Sequence, residues 1–287
     1  MAKRSKTQSQ ITATEASQIS ESPSNSSKIP FRARKIRKLS SKTPSDDDET
    51  SINENSPQQK LQSSSSLPQT LTEPLSSQCE INLALNHLRS SDPLLATLID
   101  SHRPPHFDSD RSPFQSLAKS ILYQQLAYNA AKSIYTRFVS LCGGESSVVP
   151  DSVILLSAQQ LRQIGVSGRK ASYLHDLAEK YKNGTLSDSS ILEMDDEALL
   201  AKLTVVKGIG VWSVHMFMIF SLRRPDVLPI GDLGVRKGVQ RLYGLKELPR
   251  PLEMERLCEK WKPYSSFGSW YMWRLMEAKG VLATAIQ

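Results

Sequence analysis

The sequence LTVVKGIGVWSVHMFMIFSLRRPDVLPIGD, residues 203–232, decides how the rest of the chain is interpreted. It predicts a tight hairpin over residues 205–210, an apolar helix that begins at about Val211, a turn punctuated by proline, and an isolated carboxylate at Asp232. A hairpin that presents backbone amides, followed by a lone acid, indicates either helix packing or a chemical site. The remainder of the sequence distinguishes these interpretations.

The two glycines of the hairpin indicate that a ligand approaches the backbone closely. Gly208 and Gly210 permit conformations that a Cβ would obstruct, and Gly210 leads directly into the helix. Free amides at a helix N-terminus, backed by the positive end of the helix dipole, favour a phosphate. We expect Ile209 to anchor the hairpin in the core and Lys207 to add a phosphate contact. A plain corner between two helices is the alternative.

Apolar residues recur at helical spacing from about residue 80 onward, and strand alternation is nearly absent. Asp92 and Ser112, each followed by proline, are start signals for two of these helices. We predict an all-α domain over residues 78–287 with about ten short helices. Arrays of this kind usually form two lobes with a cleft between them.

Residues 1–77 have the composition of a disordered tail. Phe31 is their only aromatic residue, and Ser, Gln, Pro and Asn dominate, so the segment cannot bury enough apolar surface to offset its ordering entropy. Residues 28–38, KIPFRARKIRK, favour a nuclear localisation signal over a solvated charge run. The acidic run at residues 46–49 counts against an organellar transit peptide. We therefore expect a nuclear protein.

Charge and cysteine usage narrow the functional class. The chain has a formal net charge of +7, which suits a polyanionic partner without requiring one. Cys79, Cys142 and Cys258 are far apart, with no Cys/His cluster at metal-ligand spacing. The sequence contains no apolar run of membrane-spanning length. We expect no cofactor, no structural zinc, no iron–sulfur cluster and no association with a membrane.

The hairpin, its two flanking helices and Asp232 together resemble the helix–hairpin–helix DNA glycosylases, and most of all the alkylpurine (3-methyladenine type II) glycosylases. The helix–hairpin–helix lies at about residues 195–222. Two further patches carry the resemblance. SILYQQLA, residues 120–127, is similar to the family's early helix that lines the cleft, and GVSGRKA, residues 165–171, stands where a loop approaches the gap left by an extruded base. The resemblance implies a two-lobed helical fold and excision of bases from DNA.

The resemblance assigns catalysis to Asp232. Breaking an N-glycosidic bond leaves positive charge on the sugar, which a carboxylate stabilises while it orients or deprotonates water. The alternative role for Asp232 is an N-cap of the next helix, and the two roles are compatible. Relatives that also cleave the strand use a lysine at the place of Trp212, so the resemblance implies a monofunctional enzyme that leaves an abasic site. A bifunctional glycosylase/lyase and a non-catalytic DNA-binding module are the alternatives.

Purines alkylated at N3 or N7, such as 3-methyladenine and 7-methylguanine, are cationic and bind well to aromatic faces. The resemblance implies a base pocket formed by Trp212, Tyr123, Gln124 and Trp273, with an ordinary core or surface position as the alternative for each.

Contacts to DNA are assigned to a set of backbone and side-chain groups on the hairpin and nearby: Val205, Lys207, Gly208, Gly210, Val166, Arg169 and Arg236. Because the second patch offers Ser167 and Gly168 instead of a bulky wedge, Val166 or Arg169 is left as the intercalating residue. The implied partners are damaged double-stranded DNA and downstream enzymes that process abasic sites. We expect a monomer and, at the hairpin backbone, at most a monovalent cation.

Overall fold

The computed structural model describes residues 74–107 and 110–284, with side chains described up to residue 277, and those ranges are helical with no strand. The α-helices are α1 (Gln78–Ser91), α2 (Pro93–Ser101), α3 (Pro113–Tyr123), α4 (Tyr128–Cys142), α5 (Pro150–Leu155), α6 (Ala158–Gln163), α7 (Gly168–Lys182), α8 (Asp188–Glu193), α9 (Asp196–Thr204), α10 (Val211–Phe220), α11 (Leu233–Leu242), α12 (Pro251–Cys258) and α13 (Ser265–Thr284). Short 3-10 turns occupy Glu145–Ser147 and Glu259–Trp261. The predicted all-α fold is confirmed.

The helix boundaries follow from capping chemistry. Asp92 accepts hydrogen bonds from the amides of Leu94 and Leu95 at the start of α2, and Ser112 forms a capping box with Gln115 at the start of α3. Both caps satisfy amides that lack a partner inside the helix. The two start signals read from the sequence are therefore the true helix starts.

The helices form two groups joined by the helix–hairpin–helix. In the first group, α7 packs against α3, α5 and α6, and α3 also contacts α4 and α8. In the second, α13 packs against α11, α2 and α1. Helix α10 contacts both α9 and α3, so the hairpin between α9 and α10 lies beside the first group. This is the two-lobed arrangement expected of the helical array.

The described residues include a short stretch before the boundary expected at residue 78, and it packs with the domain. Leu75 is only 2% exposed, and its amide donates to the carbonyl of Arg223 over 3.0 Å. A buried leucine removes apolar surface from water, which explains why this stretch packs with the domain. The remainder of the expected tail, including the basic residues 28–38, lies outside the described residues.

Buried serines at the start of α13 fix the loop between α10 and α11. Ser266 Oγ donates to the carbonyl of Arg224 over 2.6 Å and accepts from the amide of Val227 over 3.0 Å. The amide of Ser265 donates to Asp226. Because a buried polar group is costly without a partner, these contacts leave the loop little freedom. The loop ends at Asp232, so these contacts fix the first part of the segment that leads to this residue.

Candidate active site

Asp232 is half-buried and receives three hydrogen bonds. It is the N-cap of α11, where Oδ1 accepts from the amide of Val235 over 2.8 Å. The indole of Trp273 donates to the same oxygen over 2.8 Å, and the indole of Trp212 donates to Oδ2 over 2.7 Å. The capping role and a chemical role are thus compatible, because the carboxylate is oriented by two side chains in addition to the helix terminus.

The two indoles come from helices that are far apart in the sequence. Trp212 is the second residue of α10, directly after the hairpin, whereas Trp273 lies in α13 and stacks on Phe220 at 5.6 Å between ring centroids. Trp273 reaches Asp232 because Gly234 has no side chain: a Cβ there would lie 2.8 Å from Cδ1 of Trp273. The site is therefore assembled at the junction of α10, α11 and α13.

A cavity of about 590 Å³ adjoins the carboxylate. Its apolar wall includes Leu200, Val211, Leu228 and Ile230, and its charged lining includes Asp226, Asp232, Glu255, Glu259 and Lys262. His215 also lines it, and burial lowers the pKa of that imidazole. Of the four predicted pocket residues, only Trp212 lines this cavity.

The other three predicted pocket residues have definite places. Trp273 is 7% exposed and bonded to Asp232. Tyr123 is half-buried and packs edge-on against Tyr128 and Tyr135. Gln124 donates from Nε2 to the carbonyl of Gly208 over 2.8 Å. The structure therefore joins Trp212 and Trp273 through the carboxylate and places Gln124 on the hairpin, while Tyr123 belongs to a separate aromatic cluster.

The hairpin buries the side chain of Ile209 and presents its backbone outward. Ile209 is 5% exposed, whereas Val205, at the start of the hairpin, is 57% exposed. Gly208 has a φ of 81°, and a Cβ there would lie 2.1 Å from the ring of Tyr173, so only glycine fits. Gly210 is the N-cap of α10 and provides no side-chain hydrogen bond to the helix amides. The geometry leaves those amides for a ligand, as the phosphate interpretation requires.

Lys207 is engaged more than the sequence indicated. Its amide donates to Oδ2 of Asp176 over 2.8 Å, and its ammonium lies 3.3 Å from Oδ1 of the same carboxylate. The lysine side chain is nonetheless 68% exposed. Because exposed ion pairs are weak, a phosphate can compete for this ammonium.

The remaining residues that were predicted to contact DNA differ in how exposed they are. Val166 is 1% exposed and packs in the core, so its side chain does not reach DNA as an intercalating residue would have to. Arg169 is exposed near the start of α7. Arg236 is half-buried, and its Nε donates to the carbonyl of Pro249 over 3.0 Å.

The described residues contain no group of three or more His, Cys, Asp or Glu side chains that could hold a metal ion. Within the same ranges, no helix is both long and apolar enough to span a membrane.

The glycine hairpin and the capped carboxylate both lie within a span of the chain that matches a known family. The model of the HhH-GPD superfamily base excision DNA repair proteins matches residues 118–263, a span that contains Gln124, the hairpin and Asp232. The chain belongs to that family.

Several similar proteins are described as 3-methyladenine glycosylases or glycosidases. DNA-3-methyladenine glycosylase 1 of Schizosaccharomyces pombe is 32% identical over 181 residues, which cover 63% of this chain and 79% of the relative. A DNA-3-methyladenine glycosidase structure from Bacillus halodurans is 34% identical with a TM-score of 0.61, covering 67% of this chain and 88% of that one. The S. pombe 3-methyladenine glycosylase in complex with abasic DNA is 30% identical with a TM-score of 0.58, covering 67% and 95%.

Proposed function

We propose that the protein is a monofunctional DNA glycosylase that hydrolyses alkylated purines, such as 3-methyladenine and 7-methylguanine, from duplex DNA and leaves an abasic site. The observation that carries the proposal is the Asp232 carboxylate, which two indoles hold beside a cavity at the junction of the lobes. The relatives described as 3-methyladenine glycosylases support the same substrate class.

The chemistry needs only a positioned carboxylate and water. When the bond between C1′ and the purine nitrogen breaks, its electrons leave with the base and the sugar becomes an oxocarbenium-like cation. Asp232 stabilises that charge, and water adds to C1′ and loses a proton. A purine that already carries an alkyl group at N3 or N7 is cationic, so it departs as a neutral base without needing a general acid.

Trp212 supports a monofunctional reaction. Strand cleavage through a Schiff base requires an amine at the sugar. The indole at this position has no such amine, and its N–H already donates to Asp232. The lysine of the hairpin, Lys207, is paired with Asp176 on the neighbouring helix. The product is therefore an abasic site.

DNA is bound through the hairpin and neighbouring basic groups. The N-terminus of α10, where Gly210 supplies no side-chain hydrogen bond, offers amides to a phosphate. Arg169 and Lys207 are exposed for further contacts. Since the base must leave the helix to reach a carboxylate at the lobe junction, extrusion of the nucleotide precedes hydrolysis.

The decisive experiment compares wild type with Asp232→Asn on methylated duplex DNA, measuring released bases and abasic sites. Asparagine retains an oxygen for the N-cap but not the negative charge, so base release is expected to fall at least about a hundredfold. Glu255→Gln is the matched control, because Glu255 lines the same cavity from α12 and is not among the residues that bind Asp232 or its loop. Equal activity of wild type and Asp232→Asn removes the carboxylate from the mechanism.

Two outcomes favour the alternatives. A covalent adduct trapped by borohydride on damaged DNA indicates a lyase. DNA binding without release of any base from alkylated DNA indicates a binding module. The proposal requires base release without trapping.

We propose a nuclear location on the basis of the basic residues 28–38, and a monomer that hands abasic DNA to downstream repair enzymes. A fluorescent fusion of the full chain is expected in the nucleus, and replacing the six Lys and Arg residues of the cluster with alanine is expected to disperse it. An unchanged distribution after the replacement excludes this signal.

A further inference from the structure

Asp176 is a buried carboxylate that binds the hairpin although it lies 31 residues earlier in the chain. It is 7% exposed, within α7. Its Oδ2 accepts from the amide of Lys207 over 2.8 Å and from the ammonium of Lys180 over 2.9 Å, and its Oδ1 lies 3.3 Å from the ammonium of Lys207. Among the described residues, the hydrogen bonds and ion pairs of this carboxylate involve either its own helix or the hairpin.

The same face of α7 makes two other supporting contacts. The ring of Tyr173 packs beneath Gly208, where a Cβ would lie 2.1 Å from it. The ammonium of Lys170 donates to the carbonyl of Leu122 at the end of α3 over 2.6 Å. Residues 170, 173 and 176 are three apart, so they lie along one side of the helix. This side contacts both the hairpin and the end of α3.

A third contact joins those two supported segments. Gln124, directly after α3, donates to the carbonyl of Gly208. The hairpin is thus held at the Lys207 amide by Asp176, at Gly208 by Tyr173, and at the Gly208 carbonyl by Gln124. Among the described residues, the amides of Gly208, Gly210 and Val211 have no hydrogen-bond acceptor. The contacts fix the hairpin while leaving these amides for a ligand.

The negative charge of Asp176 does not by itself favour the binding of DNA. Burial raises the pKa of Asp176, but the hydrogen bonds from the Lys207 amide and the Lys180 ammonium outweigh burial and hold the pKa below its usual value. The group is therefore negatively charged at neutral pH. A negative charge directly behind a phosphate-binding surface weakens the attraction for DNA. Holding the hairpin in place is a role that offsets this repulsion.

We infer that Asp176 is a positioning residue for DNA binding: by accepting the Lys207 amide, it holds the hairpin so that the free amides meet one phosphate. The inference rests on the proposed binding of DNA through the hairpin. Hydrogen bonds to a charged acceptor are strong enough for their loss to be measured as affinity.

The test uses the full chain and a duplex containing a stable abasic-site analogue, with affinity measured by fluorescence anisotropy. Asp176→Asn leaves only a neutral acceptor, which binds an amide more weakly than a carboxylate does, so DNA binding is expected to weaken several-fold. The single-turnover rate of base release at saturating enzyme is expected to stay unchanged within about twofold. If the charge acted only electrostatically, its removal would tighten binding, so the sign of the change separates the two roles.

Asp188→Asn is the matched control. Asp188 also accepts an amide from a distant segment, that of Phe114, together with the hydroxyl of Tyr181, but it has no contact with the hairpin. It is expected to lower the melting temperature without changing DNA affinity. If Asp176→Asn does not fold, Tyr173→Leu replaces it, because the loss of the ring beneath Gly208 is expected to weaken DNA binding several-fold without changing the single-turnover rate.

The outcomes separate the inference from the proposed function. Unchanged or tighter binding by Asp176→Asn, or a loss confined to the single-turnover rate, overturns the inference while leaving the glycosylase intact. Failure of wild type to bind damaged DNA overturns both, whereas binding without base release overturns only the glycosylase. Weaker binding by Asp176→Asn with normal chemistry supports the positioning role.

Discussion

The hairpin and the Asp232 segment are held in opposite ways. The hairpin is positioned through its backbone: an amide bound by Asp176, a carbonyl bound by Gln124 and a glycine lying on Tyr173. Asp232 is positioned through its side chain, which two indoles bind. The difference follows from what each segment presents to a substrate. A surface that presents amides must be supported from behind, whereas a carboxylate that must carry charge is supported by donors to its own oxygens.

The largest effect is expected where the hairpin backbone is packed most tightly. Gly208→Ala places a Cβ 2.1 Å from the Tyr173 ring at a φ of 81°, and overpacking combined with backbone strain is expected to cost about 3 kcal/mol of unfolding free energy. Gly210→Ala is the matched control, because nothing lies within 4 Å of the added carbon, and loss of the preferred cap glycine costs at most about 1 kcal/mol. Urea unfolding measures both. Similar losses for the two variants contradict the packing explanation.

The next effect tests the side-chain support of Asp232. Trp273→Phe and Trp212→Phe each remove one donor to the carboxylate, and each is expected to slow base release about tenfold at saturating enzyme. Trp270→Phe is the control: the Trp270 ring lies beneath the Arg274 guanidinium and next to Tyr271. If all three variants slow the reaction equally, the effect comes from packing rather than from hydrogen bonds to Asp232.

A smaller effect depends on pH and concerns the hairpin support. The pKa of Asp176 is lowered in the folded protein, so its contribution to stability is fully present above the pKa of the unfolded chain, about 3.9, and is lost as the pH falls through the lower folded value. Asp176→Asn is therefore expected to be less stable than wild type by about 1–2 kcal/mol at pH 7. The gap is expected to close in acid. A gap that stays constant down to pH 3 would show that the charge of this carboxylate is unimportant.

The smallest effect concerns the exposed lysine of the hairpin. Lys207→Ala removes an ammonium that is 68% exposed but keeps the backbone amide that Asp176 binds. Affinity for DNA is expected to fall a few-fold, and the slope of log affinity against log salt to decrease by about 1. Measurements at several salt concentrations decide the matter, since an unchanged slope means that the ammonium does not meet a phosphate.

Much of the fold was predictable from local chemistry, because start signals such as Asp92 and Ser112 act within one helical turn. The number of helices was underestimated. Helices α5 and α8 are six residues long, too short for apolar periodicity to appear, and their stability comes from tertiary packing. The spacing of apolar residues therefore does not predict helices as short as these.

The site was predictable as a set of residues but not as a set of contacts. The resemblance to the helix–hairpin–helix glycosylases assigns Asp232 and Trp212 to the site, yet their hydrogen bond depends on how the loop folds against α13. The burial of Val166 and the link between Asp176 and the hairpin arise from packing between distant segments. One signal for Asp176 was available: a carboxylate next to Leu177, on the apolar side of a predicted helix, requires a partner.

The indoles that orient the carboxylate can also report on its charge, because each indole N–H gives a signal in an ¹⁵N NMR spectrum. Of the four tryptophans, Trp212 and Trp273 donate to Asp232, and Trp261 donates to the buried Asp92. Three of the four indole N–H signals in an ¹⁵N spectrum therefore have an assigned carboxylate: two sense the charge of Asp232 and one senses the charge of Asp92. The ionisation of the carboxylate and the approach of a cationic base can be followed in solution without adding a label to the substrate.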